Sequence, residues 1–388
     1  MEISACVKYV GVNDHQVDLF EGQYKVPNGM SYNSYVILDE KIAVMDTVDG
    51  FFTEEWLNNV EQVLDGKMPD YLIIQHMEPD HSASIPAFLK KYPKATVVST
   101  AKGFQFMEQF FPEFFAEQGL PAEQRIVAAN DGVLELGQHS LHFVYAPMVH
   151  WPEVMMTYEA TEKILFAADG FGKFGALDVE EEWADEARRY YIGIVGKYGP
   201  QVQAVLKKAA GLDIQTICSL HGPVLKENLG FYLEKYDKWS SYQPEESGVV
   251  IAYASVYGNT RNAAEYLADV LQEKGQKTVL YDLARCDKAK AVADAFRYDR
   301  LVLAGITYNG DLFPCMRSFI EGLTERNYQN RKVAIIENGT WAPMAGKLIL
   351  GMFEKSKNLT FTETTVSIKS AMNAQNKEEI GKLAQELF

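Results

Sequence analysis

The sequence predicts two α/β domains of different construction, a layered α/β sandwich over residues 1–247 and a doubly wound, five-stranded parallel sheet over residues 248–388. Three observations lead there. The length of 388 residues is long for one core and comfortable for two. The polar, turn-rich stretch Ser240–Gly248, with Pro244 inside it, separates an amphipathic segment from the apolar run "GVVIAYAS". The charge is also divided: from Gly248 onward there are 18 Lys+Arg against 16 Asp+Glu, whereas the first 247 residues hold 19 against 37.

Hydrophobic residues at 47% and charged residues at 23% are ordinary for a globular protein. The acidic first part repels nucleic acid and anionic membrane, so neither is an expected partner. No run approaches the roughly 18–20 apolar residues of a membrane span. The N-terminal stretch lacks the basic start and apolar core of a signal peptide. A cytoplasmic protein is the expectation. Cys6, Cys218, Cys286 and Cys315 form no CxxC pair, which argues against a disulfide framework, a zinc ribbon or a cysteine-held iron centre.

In the first domain, "SYNSYVILDEKIAVMDT" reads as a hairpin turning at Asp39-Glu40, and "DYLIIQ" as a buried strand. The pairs "GVLELGQHSLHFVYAP" and "VMMTYEATEKILFAADGF" follow, the second turning near Ala160-Thr161. A helical stretch over about 180–210 and the strand in "DIQTICSLHG" complete the sandwich. In the second domain, "GVVIAYAS", "KTVLYDL", "RLVLAGI", "RKVAIIE" and "TTVSIKS" are strands. Amphipathic helices such as "RNAAEYLADVLQEKG" separate them, the alternation of a parallel sheet. Ligands of such sheets bind at the carboxyl ends of the strands.

Two constellations carry chemistry. "QHMEPDHSAS" puts His76, Glu78, Asp80 and His81 within six residues directly after a strand, and they can converge only if the chain curls there. Alone, the stretch is equally consistent with a solvated cluster. His150, Asp169 and His221 each follow an apolar strand and would reach the same edge. His139 and His142 lie on a strand of their own and read as structural. In the second domain, "ASVYGNT" joins the first strand to the first helix. Its N–H groups and the side chains of Ser255, Tyr257, Asn259 and Thr260 suit a monophosphate at a helix N-terminus. It contains neither GxxxxGK[ST] nor GxGxxG.

The pattern H-x-E-x-D-H followed by H, D and H at strand ends resembles the metallo-β-lactamase-like domain of flavodiiron proteins, an αββα sandwich. Residues 248–388 resemble flavodoxins. The first resemblance implies two irons, one held by His76, Glu78 and His150, the other by Asp80, His81 and His221, with Asp169 bridging. Hydrolytic relatives carry a histidine at the position of Glu78. A carboxylate there adds charge and a hard oxygen donor, which suits iron and weighs against the alternative of a zinc hydrolase fused to an electron carrier. The second resemblance implies FMN, held by Ser255, Val256, Tyr257, Gly258, Asn259 and Thr260 at the phosphate. Thr307, Tyr308, Asn309 and Gly310, then Asn338, Gly339, Thr340 and Trp341, would contact the ring, with Trp341 as the candidate to stack on it. Together the resemblances imply an oxidoreductase reducing O2 to water, or alternatively NO to nitrous oxide. They also imply an external rubredoxin-type donor and a head-to-tail homodimer, with a tetramer left open.

Overall fold

Short apolar runs become strands here where burial favours them, and Tyr35–Ile37, Ala43–Met45 and Ile164–Phe166 are buried throughout. The computed structural model describes residues 3–388, which fall into two compact units. The first contains β1 (Val7–Tyr9), β2 (Val12–Asp14), β3 (Leu19–Phe20), β4 (Tyr24–Lys25), β5 (Met30–Tyr32), β6 (Tyr35–Ile37), β7 (Ala43–Met45), β8 (Tyr71–Ile73), β9 (Thr96–Ser99) and β10 (Arg125–Val127). It continues with β11 (Val133–Glu135), β12 (Ser140–Tyr145), β13 (Met155–Glu159), β14 (Ile164–Phe166) and β15 (Thr216–Cys218).

One sheet has the order β1-β6-β7-β8-β9-β10 and the other β11-β12-β13-β14-β15, while β2 pairs β5 and β3 pairs β4. The core lies between the two large sheets, where Ile37, Met45, Ile73 and Val98 meet Leu141, Phe143, Ile164 and Phe166. Alternation explains the full burial of β6. Tyr35 and Ile37 face this core, and Val36 between them is buried on the other face. The helix Thr53–Leu64 buries Trp56, Val60 and Leu64, one stripe at helical spacing. The hairpins expected at Asp39-Glu40 and at Ala160-Thr161 form, as β6–β7 and β13–β14.

The second unit contains β16 (Glu246–Tyr253), β17 (Thr278–Asp282), β18 (Tyr298–Tyr308), β19 (Asp311–Leu312), β20 (Arg331–Asn338) and β21 (Leu359–Ile368). Five strands run parallel in the order β17-β16-β18-β20-β21, the flavodoxin-like order with its switch point between β16 and β18. The short β19 is an addition to the five strands expected. It folds back antiparallel on β18 through Asn309-Gly310, both at positive φ (+52° and +71°), as a two-residue type I′ turn requires. The helix Asn259–Glu273 packs on the sheet through Ala263, Ala264, Leu267, Ala268 and Leu271.

The division between the units does not fall at a single seam near residue 247. The first unit runs to Tyr191 and takes up Pro200–Glu234, and the second comprises Ile192–Gly199 and Lys235–Phe388. Long-range hydrogen bonds account for this. Arg326 Nε donates to Gly193 O (3.2 Å), Asn327 Nδ2 to Lys197 O (2.8 Å) and the buried Arg331 Nη1 to Tyr242 O (2.7 Å). Trp239 Nε1 and Lys235 Nζ both reach the Glu245 carboxylate, at 2.6 Å each. None of these partners is adjacent in sequence.

Candidate metal centre and flavin site

The curl needed after β8 is a single helical turn, Pro79–Ser82. Glu78 is extended (φ −60°, ψ 139°), and Pro79 behind it fixes the φ of the first helical residue. Ser82 Oγ donates to Met77 O (2.9 Å), and Thr47 donates through both N and Oγ1 to His81 O (2.9 and 2.7 Å), which locks the turn. Asp169 follows β14, His221 follows β15, and His150 lies between β12 and β13. The seven side chains expected from the sequence come together.

They form two groups. His76 Nε2 lies 3.2 Å from Glu78 Oε2 and 3.5 Å from Asp169 Oδ2. His150 Nε2 is 3.0 and 3.1 Å from the same two oxygens. In the other group, His81 Nε2 and His221 Nε2 stand 3.1 Å apart, each 3.3 Å from Asp80 Oδ2. Asp169 Oδ1 is 3.2 Å from His81 Nε2 and 3.8 Å from His221 Nε2. Asp169 thus offers one carboxylate oxygen to each group. The potential ligand atoms of His76, Glu78, His150 and Asp169 lie within 4.8 Å of one another, as do those of Asp80, His81 and His221.

The chemistry of this set fits metal ions. Both Asp80 oxygens and Asp169 Oδ1 are buried without a hydrogen-bond partner, a costly arrangement unless a cation satisfies them. Burial pulls the His150 imidazolium down, but hydrogen bonds to Asp169 and Glu78 overcome it and hold the ring up at about 9. Burial also opposes charge on Asp169, yet its contacts with His150 and His81 keep the carboxyl well below the usual range. The pocket therefore favours cations, and a metal would displace the imidazole protons. Three carboxylates and four imidazoles are a hard and borderline donor set suited to iron.

The sequence reading missed the groups that aim these rings. Glu153 Oε1 sits 2.7 Å from His76 Nδ1 and accepts from Met77 N (2.9 Å), while Ser31 O accepts from His221 Nδ1 (2.8 Å). With Nδ1 engaged, Nε2 faces the centre. Asp46, pushed up to about 6 by burial, holds Gln75 through N (2.7 Å) and Nε2 (2.9 Å), next to His76. Glu153 stood in plain view in "HWPE", three residues after His150, but nothing local ties it to His76. Replacing it should be felt at the metal: Glu153→Ala is expected to weaken iron binding roughly 10–100-fold, with Glu153→Gln between it and the parent. Iron retained against a graded chelator series measures this.

In the second unit, a cavity of about 480 Å³ opens at the carboxyl ends of β16, β18 and β20. Of the fourteen residues expected there, all but Gly258 line it. Gly258 instead caps the helix Asn259–Glu273 at φ +90°, a conformation that favours glycine, with its N–H held by Ser255 Oγ at 3.1 Å. Some lining groups are already engaged. Thr307 Oγ1 accepts from Met344 N (2.8 Å) and Ala345 N (3.1 Å) and so holds the start of the helix Ala345–Met352. Asn338 Nδ2 donates to Ser370 O (2.9 Å) and Thr260 Oγ1 (3.3 Å). These side chains shape the cavity. Tyr257 and Trp341, 92% and 90% exposed, stand beside it with their ring faces uncovered. Ser370, after β21, also lines it; the strand-end rule applied to the fifth strand would have found it. A cavity at the strand ends with a helix N-terminus at one side and exposed aromatic rings beside it fits a flavin mononucleotide.

Comparison with known proteins agrees with the two-part fold. Residues 30–222 match the ODP family beta lactamase, and residues 250–360 match a flavodoxin domain. The flavodiiron protein of Giardia intestinalis superposes with a TM-score of 0.87 at 25% identity, covering 100% of this chain and 96% of that one. The chain belongs to the flavodiiron proteins. The rubredoxin oxygen:oxidoreductase of Desulfovibrio gigas gives a TM-score of 0.91 at 25% identity, with 100% and 97% covered. An anaerobic nitric oxide reductase flavorubredoxin of Vibrio vulnificus is 28% identical over 349 residues, 86% of this chain and 69% of that protein. This flavodiiron chain is therefore an oxidoreductase, built from a β-lactamase-like sandwich and a flavodoxin-like sheet. Among the described residues, no helix is long and apolar enough to cross a membrane.

Proposed function

We propose that this flavodiiron protein reduces O2 to water in the cytoplasm, with electrons arriving through FMN from an external rubredoxin-type carrier. The observation that carries the reading is Asp169, whose two oxygens face two separate groups of histidine and carboxylate ligands. Two irons giving one electron each and a flavin giving two would supply the four electrons that, with four protons, convert O2 to two waters.

The protein's part is placement. His76, Glu78 and His150 would hold one metal, Asp80, His81 and His221 the other, and Asp169 both. Glu153 and Ser31 O keep the imidazoles of His76 and His221 turned inward. Full burial of His76 and His81 and near-full burial of Asp169 and His221 exclude water from that side of the centre. The more open Glu78 marks the side for gas entry. In the second unit, the loop from Ser255 to Thr260 would bind the phosphate, and Tyr257 and Trp341 would cover the ring.

The working unit in this proposal is a head-to-tail homodimer in which the FMN of one chain serves the metal centre of the other. The charge balance of −18 before residue 248 and +2 after it supports pairing of unlike halves. The same asymmetry leaves the flavin half the less repulsive docking face for an acidic electron carrier, at rates that depend on salt.

A second reading is reduction of two NO to nitrous oxide and water, with two electrons and two protons. The name of the Vibrio relative supports it, and the full-length fit to the Desulfovibrio structure supports O2. Parallel assays with reduced rubredoxin and either gas discriminate them. The proposal expects the larger kcat/KM with O2, and a larger value with NO would replace it with the second reading.

A further inference from the structure

Cys6, His139 and Glu162 meet at the opposite ends of the strands that carry the seven-residue centre. His139 precedes β12, whereas His150 follows it; Glu162 precedes β14, whereas Asp169 follows it. Cys6 directly precedes β1. One potential ligand atom from each of the three residues lies within 4.8 Å of the other two.

The arrangement has the features of a built metal site. Asp39 Oδ2 accepts from His139 N and lies 2.7 Å from His139 Nδ1, and both side chains are only 4% exposed. A carboxylate on Nδ1 fixes the ring and leaves Nε2 as the coordinating atom, the usual support for a metal-bound imidazole. Nε2 stands 3.6 Å from Glu162 Oε1. That is too long for a hydrogen bond but near the ~3.4 Å ligand–ligand edge of a tetrahedron built on bonds of about 2.0–2.1 Å. Glu162 Oε2 is buried without a partner.

The loops that carry these groups are held in place. Glu159 accepts from the backbone N–H of Thr161 and Glu162, each at 2.7 Å. Thr161 Oγ1 donates to Gln138 O at 2.8 Å, joining the β13–β14 turn to the β11–β12 turn. Local charge favours a cation. Burial, then Glu162, Asp39 and Glu159, push the Cys6 thiol up, and Lys8 alone opposes them. A buried histidine–aspartate pair serving only to stabilise the fold would need neither Cys6 nor Glu162 beside it.

We propose that Cys6, His139 and Glu162 form a zinc(II) site with three protein ligands and a fourth position open to water, separate from the seven-residue centre. Thiolate, imidazole and carboxylate together match zinc's borderline character. Binding releases the thiol proton and any proton on the imidazole. It would clip the edge strand β1 to two turns of the other sheet.

The test uses the full chain loaded with iron and FMN and titrated with zinc sulfate. Expected is one zinc per chain with iron and FMN contents unchanged. X-ray absorption at the zinc edge should show one sulfur at about 2.3 Å. The seven-residue centre contains no cysteine, so that sulfur cannot come from it. Cys6→Ser should remove the sulfur and weaken zinc binding at least tenfold, and Asp39→Asn should weaken binding about 10–100-fold while keeping the sulfur. Glu162→Gln, at a partly exposed position, gives a second ligand variant with little risk to folding. Zinc that enters only by displacing iron, a zinc shell without sulfur, or binding unchanged in Cys6→Ser or Glu162→Gln would overturn the proposal.

Discussion

Asp169→Ala is expected to leave the protein with less than one iron per chain and to lower O2 reduction by more than 100-fold, with the flavin absorbance unchanged. The reason is geometric. Asp169 offers one oxygen to each group, 3.1 Å from His150 through Oδ2 and 3.2 Å from His81 through Oδ1. Removing it leaves four imidazoles with two carboxylates and leaves each group one oxygen short. Loss of a residue that merely supports a ligand costs about 10–100-fold, so loss of a shared ligand should exceed that. Glu78→Ala removes an oxygen from one group only, and is expected to abolish gas reduction while keeping more iron than Asp169→Ala. Iron analysis beside the visible spectrum reads both variants. Full activity in either would refute the assignment of the centre.

A mixed dimer should regain activity that neither parent homodimer has. One chain carries Glu78→Ala with Asp169→Ala and keeps its FMN. The other carries Asn259→Ala with Thr260→Ala, which strips the phosphate loop at the start of its helix, and keeps its iron. If electrons cross from the flavin of one chain to the metal of the other, one of the two paths in the mixed dimer is intact. Random pairing makes about half of the dimers mixed, so about a quarter of parental activity should return. If electrons stay within one chain, no mixed dimer has a complete path. Background activity in verified heterodimers would sink the head-to-tail arrangement.

What could be read from the sequence depended on how local each signal was. His76, Glu78, Asp80 and His81 fall within six residues, so their spacing drew attention to them, but only His150, Asp169 and His221 set them apart from a solvated cluster. His150, Asp169 and His221 were legible because each ends an apolar strand, and strand ends share an edge. The parallel sheet was legible for a similar reason, since five apolar runs alternate with amphipathic helices. The supporting shell was not. Glu153 meets His76 across 77 residues and Ser31 meets His221 across 190, and no local pattern encodes either pair. The same applies to Ile192–Gly199, which joins the second unit through Arg326 and Asn327 more than 120 residues away. Thr307 and Asn338 line the cavity, but their polar atoms are taken up by a helix start and by Ser370. His139 reads as structural in the sequence, and Asp39, the carboxylate that holds its ring, lies 100 residues earlier.

The most direct test of the central claim is a single-turnover experiment under anaerobic conditions. The fully reduced protein, with four electrons per chain, is mixed with one equivalent of O2, and flavin reoxidation and peroxide are measured together. The account predicts rapid reoxidation of the flavin, complete consumption of four electrons per O2 and no hydrogen peroxide. It also predicts that the Asp169→Ala protein loses the rapid phase. Stoichiometric peroxide, or a flavin reoxidation rate unaffected by loss of Asp169, would contradict it.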